Sequence, residues 1–549
     1  MYKKDDYTKL ADSYFDYLAE HFPVMCASDE FHFLPRAENA CNHYDKMDDL
    51  EESAVEETIA KLKEFQKDFS FIGSGEGDLE NTIDLQILQA NVAGILIELH
   101  TKRSWQYNPL LYLKIAFIGL DHALTKPATE PKEIQERVHA RLSAISRILK
   151  QGIDNIHSIP DTYHQASLLM VEDCKQYLSE TAKVLSELFV DQQEGIFTKS
   201  LADTASALKD FTQFLGAKPP EPDRQFAVST LKTSLKDHFL SKRTPEEIFQ
   251  IAVEEWHQIL KQLESLQSKI NPGKTWAELY HGYNPSQIEE MKIITLYKSE
   301  IDRLRTFFSR NGLSQEDLKA PIEIIYTPTY LKSVRSSASF AAAFSQDPEE
   351  KSLFYVTTQF PRQNSKDTDT LLQKRLHREY KMLTAHETIP GHHFLDSIRR
   401  RLKNPVRRQI ESPLFYEGWA SFSESMLIEY GYIKDPQELL VDGKRRLWRS
   451  ARCQIDVGLT IGKLSHNEAI ELLKTCGFTP QEAFRQLEHY RLNPGYQLCY
   501  SLGSYEFRQL KENYGNLLRE KDFHRFVLEG GELPFHLIEK RFDGFCHKK

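Results

Sequence analysis

Long apolar runs are missing from this sequence. No stretch reaches the roughly eighteen consecutive apolar residues that a membrane-spanning helix needs. The most apolar segment, Pro109 to Leu120, is short and interrupted by Lys114, which predicts a buried helix. The N-terminus, MYKKDDYTKLADSYFDYL, carries charges and lacks the apolar stretch and small-residue cleavage site of a secretory signal. Cysteine is scarce: seven in 549 residues, an odd number without a C-x-x-C pair. That count argues for reduced thiols and against a disulfide framework. Basic runs and basic–aromatic stripes are absent, and the net charge is −10, which argues against nucleic acid. These absences lead to the expectation of a soluble, cytoplasmic protein with neither nucleic acid nor membrane as a partner. They leave the oligomeric state open.

Helical periodicity is what the chain has in abundance. Glu51 to Phe69 reads as an amphipathic helix with its charges outward. In TPEEIFQIAVEEWHQ, Thr244 is a helix cap, Pro245 fits the first turn and Glu247 completes a capping box. The same grammar recurs at Thr479, Pro480 and Glu482, and a further helix is expected from about Pro285 to Arg310, stopping at Asn311-Gly312. Strand signals are few. Residues 321–328 alternate between prolines, and residues 352–358 are β-branched and aromatic. The expected architecture is mainly α, a large helical body around a cleft, with these two segments paired as a small antiparallel sheet near the active site. The proline cluster GAKPPEPDR, Gly216 to Arg224, suggests a boundary between an N-terminal helical region, 1–220, and a C-terminal catalytic region, 221–549.

The chemistry concentrates at HETIPGHHF, His386 to Phe394. A helix bearing H-E-x-x-H places two imidazoles one turn apart, with the glutamate beside a metal-bound water. Here Pro390 occupies the place four after His386. On an uninterrupted helix His393 would face the same way as His386 but lie about 10 Å further along the axis. Omitting Pro390-Gly391 from the count leaves H-E-T-I-H, with His392 as the second ligand. Proline cannot donate an amide hydrogen bond and glycine accepts unusual torsions, so the pair suits a looped-out insertion. The competing reading of this stretch is a solvated turn.

A second segment, YEGWASFSESM, holds Glu417 and Glu424 seven apart and on one helical face. Glu417 lies 25 residues after His392, enough for a connection and a second helix, and is the candidate third ligand. Glu424 is the candidate acceptor that orients a ligand histidine. Against this stands the reading of both as surface glutamates. Trp419, Phe422 and Met426 around them favour burial, where a carboxylate calls for a cation or a donor.

HETIPGHH, EGWASFSE, RCQIDVGL (Arg452 to Leu459) and PGYQLCYSLG (Pro494 to Gly503) resemble four blocks of the bacterial family termed domain of unknown function 885. In that family they run H-E-x-x-P-G-H, E-G-W-A, R-x-x-x-D-x-G-L and P-G-x-x-x-x-Y-x-x-G. The resemblance implies a largely helical, zinc-dependent metallopeptidase-like protein. It covers His386 to Gly503 and carries little over the N-terminal half. A more distant likeness reaches the thermostable carboxypeptidases and thimet-type oligopeptidases. By that analogy His386, His392 and Glu417 bind one zinc ion, Glu387 activates water, and Tyr500 holds the developing oxyanion. Without the analogy, Tyr500 reads equally as a core aromatic.

Two positions depart from the family's pattern: Thr460 stands where a histidine is usual, and His489 where an arginine is frequent. They put the substrate pocket in question and leave the metal triad intact. Arg452 and Asp456, four apart on a predicted helix, read as a structural pair. The function expected is a zinc-dependent peptidase cutting short peptides. Two alternatives stand beside it: a zinc hydrolase of an ester or non-peptide amide, and an inactive binding protein of the same fold.

Overall fold

The computed structural model describes residues 4–546, apart from 74–77, 190–193, 286–291, 315, 346, 348 and 359–365. Within them are twenty-two α-helices and three short strands, so the fold is mainly α. The predicted caps are present. Thr244 and Glu247 form a reciprocal capping box at the start of helix α1 (Pro245–Ile270), and Thr479 and Glu482 do the same for Pro480–Arg491. The helix expected to begin near Pro285 is seen as Ile293–Arg310, its proposed start lying outside the described residues. Gly312 takes φ +88° just beyond it, the left-handed backbone that ends helices and that glycine adopts without steric cost.

The apolar segment at Pro109 lies in a helix, Pro109–Thr125, that is almost wholly interior. One other helical stretch, Leu79–Gln106, is long and apolar enough to cross a membrane, but 72% of its most apolar window is buried inside the protein. Its hydropathy comes from an average over the window and not from an unbroken run, which is why the sequence shows no span there. The main hydrophobic core runs from Tyr7 to Phe542. The proline-rich segment near the expected boundary is tied down by backbone bonds from Asp161 to Glu221 and from Glu221 to Ile159, both 2.8 Å.

The sheet corrects an expectation. Strands β1 (Ile322–Tyr326) and β3 (Ser352–Val356) do pair, but in parallel, Ile322 opposite Ser352. Strand β2 (Ala338–Ala341) lies antiparallel on the other side of β3, giving the order β1-β3-β2. A parallel pair needs a crossover in place of a hairpin, and residues 327–351 supply one, with β2 inside it. β2 was not legible because ASFA is built largely of small residues with little strand preference.

Five further helices position the site: α2 (Tyr380–Glu387), α3 (His392–Arg399), α4 (Pro413–Glu429), α5 (Pro436–Thr460) and α6 (Leu498–Tyr514). α5 packs along α1, α4 packs along α6, and α2 and α3 both rest on α4.

Candidate metal centre

The break between α2 and α3 is where HETIPGHHF does its work. The Gly391 amide donates to the Ala385 carbonyl at 2.9 Å, and the Phe394 amide to the Thr388 carbonyl at 3.1 Å. Each bond spans six residues where an α-helix spans four, so two residues have been inserted and looped out. Gly391 cannot be replaced, because a Cβ there would lie 1.9 Å from the His386 carbonyl oxygen. The Trp419 indole nitrogen, on α4, donates to the Pro390 carbonyl at 2.9 Å. The tryptophan of E-G-W-A therefore fastens the Pro-Gly loop.

The loop brings His392 back beside His386, with ring centroids 4.8 Å apart. Glu417 Oε2 faces both imidazoles, 3.6 Å from His386 Nε2 and 3.5 Å from His392 Nε2. Those separations are too long for good hydrogen bonds. One donor atom from each of the three residues lies within 4.8 Å of the others, and all three residues are buried. Glu417 Oε2 has no hydrogen-bond donor of its own. Two imidazole nitrogens and a carboxylate oxygen, buried and converging, are a donor set that suits zinc. His393 turns away, its Nε2 3.1 Å from the Ala320 carbonyl.

Each member of the triad is held from behind. His386 Nδ1 lies 3.1 Å from Glu424 Oε1. Arg445 and Arg449 grip Glu424 in turn, with nitrogen–oxygen distances of 3.0 Å and 2.5 Å. Burial disfavours the Glu424 carboxylate, but the two guanidiniums outweigh it and hold the group well below the usual range. Arg445 also reaches the buried Glu379 at 2.9 Å. His392 stacks on Tyr416 at 4.0 Å, and Arg36 covers Tyr416 at 5.2 Å. The Tyr496 hydroxyl donates to Glu417 Oε1 at 2.7 Å. Burial raises the charging cost of Glu417 too, and the two histidines more than offset it, so that it too sits well below the usual range. His386 is raised, as Glu417 and Glu424 together outweigh its burial.

The centre opens on a cleft of about 420 Å³ lined by Glu387, the triad, Tyr496 and Tyr500, among others. Glu387 is the last residue of α2 and is buried. Tyr500, on α6, stacks on His386 with centroids 6.3 Å apart. Burial and the nearby Glu417 push its hydroxyl's pKa up, with Arg452 pulling the other way. α6 comes this close because glycine meets glycine. A Cβ on Gly503 would sit 2.2 Å from the Leu414 carbonyl oxygen and 2.5 Å from Gly418 Cα.

Arg452 and Asp456 do not form the expected pair. Asp456 accepts the amides of Gly495 at 2.8 Å and Leu498 at 3.2 Å, fixing the turn before α6. Arg452 instead binds Gln497, with Nε 3.0 Å from its carbonyl oxygen. Backbone donors were the better partners because the glycine turn carries amides with no helical acceptor. Of the two departures from the pattern, only His489 lines the cleft, its pKa pushed down to about 4 by burial, Arg452 and Lys114. Thr460 is buried at the end of α5, bonded at 2.8 Å to the Asp456 carbonyl. Sequence reasoning missed Tyr496, Arg445, Arg449 and Tyr416. Tyr496 directly follows the motif's Pro-Gly, and that adjacency was its only signal.

This is a mainly helical protein with a buried histidine–histidine–glutamate cluster at the base of a cleft. It belongs to the family described as bacterial protein of unknown function, DUF885, whose pattern matches residues 36–542. Two solved structures are similar in fold. One is described as "a putative lipoprotein of unknown function from Shewanella oneidensis", with TM-score 0.73, 17% identity, and 97% of this chain and 99% of that one covered. The other is "the putative lipoprotein from Colwellia psychrerythraea", with TM-score 0.75, 18% identity and the same coverage. No curated protein matches the sequence. The similar structures overturn the cytoplasmic location expected from the sequence, since this fold is found in proteins described as lipoproteins. The cysteine argument behind that expectation was weak for a physical reason. Five of the seven cysteines are buried, and a buried, isolated thiol stays unpaired in any compartment.

Proposed function

We propose that the protein is a zinc-dependent hydrolase whose substrates are short peptides. The observation that carries this is the convergence of His386, His392 and Glu417, with Glu417 Oε2 facing both imidazoles and bonded to no donor. Bound zinc would supply a water acidified toward neutral pH and a Lewis acid for the substrate carbonyl. The chain's own residues do the rest. Glu387 lines the cleft next to His386 and takes the proton from the attacking water, then returns it to the leaving amine. Tyr500 presents a hydroxyl whose high pKa keeps it a donor toward the negative charge that develops on the carbonyl oxygen. Tyr496 and Glu424 hold Glu417 and His386 in place.

A peptide is favoured as substrate by the walls of the cleft. β2 is an edge strand, and residues 336–340 line the cleft beside His392. An extended peptide can add there as a further strand. The test is hydrolysis of a mixed short-peptide library by the zinc-loaded protein and its Glu387→Gln variant. The variant is expected to bind zinc as the parent does and to lose about 10²–10⁴-fold in rate. A Gln variant as active as the parent would remove the reading.

A further inference from the structure

Seven lysines and arginines line the cleft, and six of them have a carboxylate partner. Lys102 pairs with Glu98, Lys114 and Arg335 with Glu30, Arg375 with Glu379, and Arg445 and Arg449 with Glu424. Arg452 is the seventh, and among the described residues no carboxylate lies within 4.0 Å of it. Its surroundings are nonetheless built. Gln497, itself buried, receives Nε at 3.0 Å and Nη2 at 2.5 Å through one neutral oxygen. The guanidinium carbon lies 3.8 Å from the Tyr500 ring centre, 5.4 Å from that of Trp448 and 5.5 Å from that of Tyr490. The side chain is thus oriented by a neutral acceptor and by the Tyr500 hydroxyl and boxed by aromatic faces, and Glu417 acts on its charge without pairing with it. Arg452 is half-buried on the cleft wall, where a guanidinium receives a carboxylate through a planar two-pronged bond.

We propose that Arg452 binds the C-terminal carboxylate of the peptide, making the protein an exopeptidase that acts from the C-terminal end. This deepens the hydrolase reading and rests on it for the cleavage step only. Arg452 is one aromatic ring, that of Tyr500, away from His386. An extended residue spans about 3.3–3.6 Å, so a carboxylate at Arg452 leaves about one or two residues beyond the bond above the triad. His489 lies on the same wall and is pushed toward its neutral form by burial first and by Arg452 and Lys114 after it, so it does not compete as a second cation.

The test uses one pool of tri- to pentapeptides made twice, as free acids and as C-terminal amides. Binding is read first, as the shift in melting temperature of the zinc-loaded Glu387→Gln protein. The acid pool is expected to bind about tenfold or more tightly than the amide pool, the effect of one charged hydrogen-bonded contact. Adding Arg452→Gln should abolish that preference. Arg452→Lys, which keeps the charge but not the planar fork, should retain part of it and serves if the Gln variant does not fold. Equal binding of the two pools, no binding of either, or a preference that survives in both Arg452 variants overturns the proposal. Cleavage by the parent is read second, with loss of one or two C-terminal residues expected from the acids. Internal cuts at equal rates in acids and amides also overturn it. If the acids bind selectively and neither pool is cut, the carboxylate site stands and the hydrolase reading fails.

Discussion

Glu424 shows how much of this centre lies behind the residues that face the cleft. It touches no substrate, yet it is the acceptor on His386 Nδ1 and is itself fixed by Arg445 and Arg449. Partners of this kind set the tautomer and orientation of a ligand imidazole, and their loss commonly weakens metal binding by about 10–100-fold. Glu424→Gln is expected to fall in that range when zinc affinity is measured by competition with a chelator, while His386, His392 and Glu417 remain in place. The sequence made Glu424 legible through its seven-residue spacing from Glu417. Arg445 and Arg449 were not legible, because arginines four apart on a helix usually mark a solvated face. Only the packing of α5 along α1 and α6 turns these two toward Glu424.

Among the elements, four short blocks of sequence interlock. The Pro-Gly loop is fastened by Trp419, and α4 and α6 meet at Gly418 and Gly503. Asp456 on α5 holds the turn that starts α6. The spacing of HETIPGHH announced the distorted helix, since proline forbids the regular one and glycine permits the detour. The glycine contact was hidden, as no local pattern tells which two helices will touch. Gly503→Ala tests it. With a Cβ forced against the Leu414 carbonyl, α6 must move outward, and destabilisation of about 1–3 kcal/mol is expected. Urea unfolding measures the loss. Activity should fall by more than stability alone explains, because Tyr496 and Tyr500 ride on the displaced segment. The strand pairing was misjudged at this same scale: two β-like segments were legible, but their direction depended on a crossover strand too weak in pattern to see.

At the scale of the whole molecule, buried charge ties the N-terminal residues to those behind the histidine–histidine–glutamate cluster. Arg36 bonds Asp29 at 2.8 Å, Glu411 at 2.5 Å and Asp396 at 3.1 Å, and its guanidinium covers the Tyr416 ring on which His392 stacks. None of this was legible, since the resemblance carried little over the first half and partners more than 350 residues apart leave no local trace. Glu532 belongs to the same region. Burial and the neighbouring Glu411 push it up to about 8 from an ordinary 4.5. Its carboxyl is therefore protonated in the folded chain over a range where the unfolded chain has it ionised. That contribution to stability is fully present below about pH 4.5 and is lost as pH rises through about 8. Melting temperatures taken from pH 5 to 8.5 should fall more steeply for the parent than for Glu532→Gln. Parallel slopes would show that Glu532 does not titrate in this way.

The whole account turns on which histidine the Pro-Gly loop delivers. Zinc per chain, measured by mass spectrometry after dialysis against trace metal, decides it for the parent, His392→Ala and His393→Ala. One ion per chain is expected in the parent and in His393→Ala, with none retained by His392→Ala. A parent without stoichiometric metal, or zinc kept by His392→Ala and lost by His393→Ala, would contradict it.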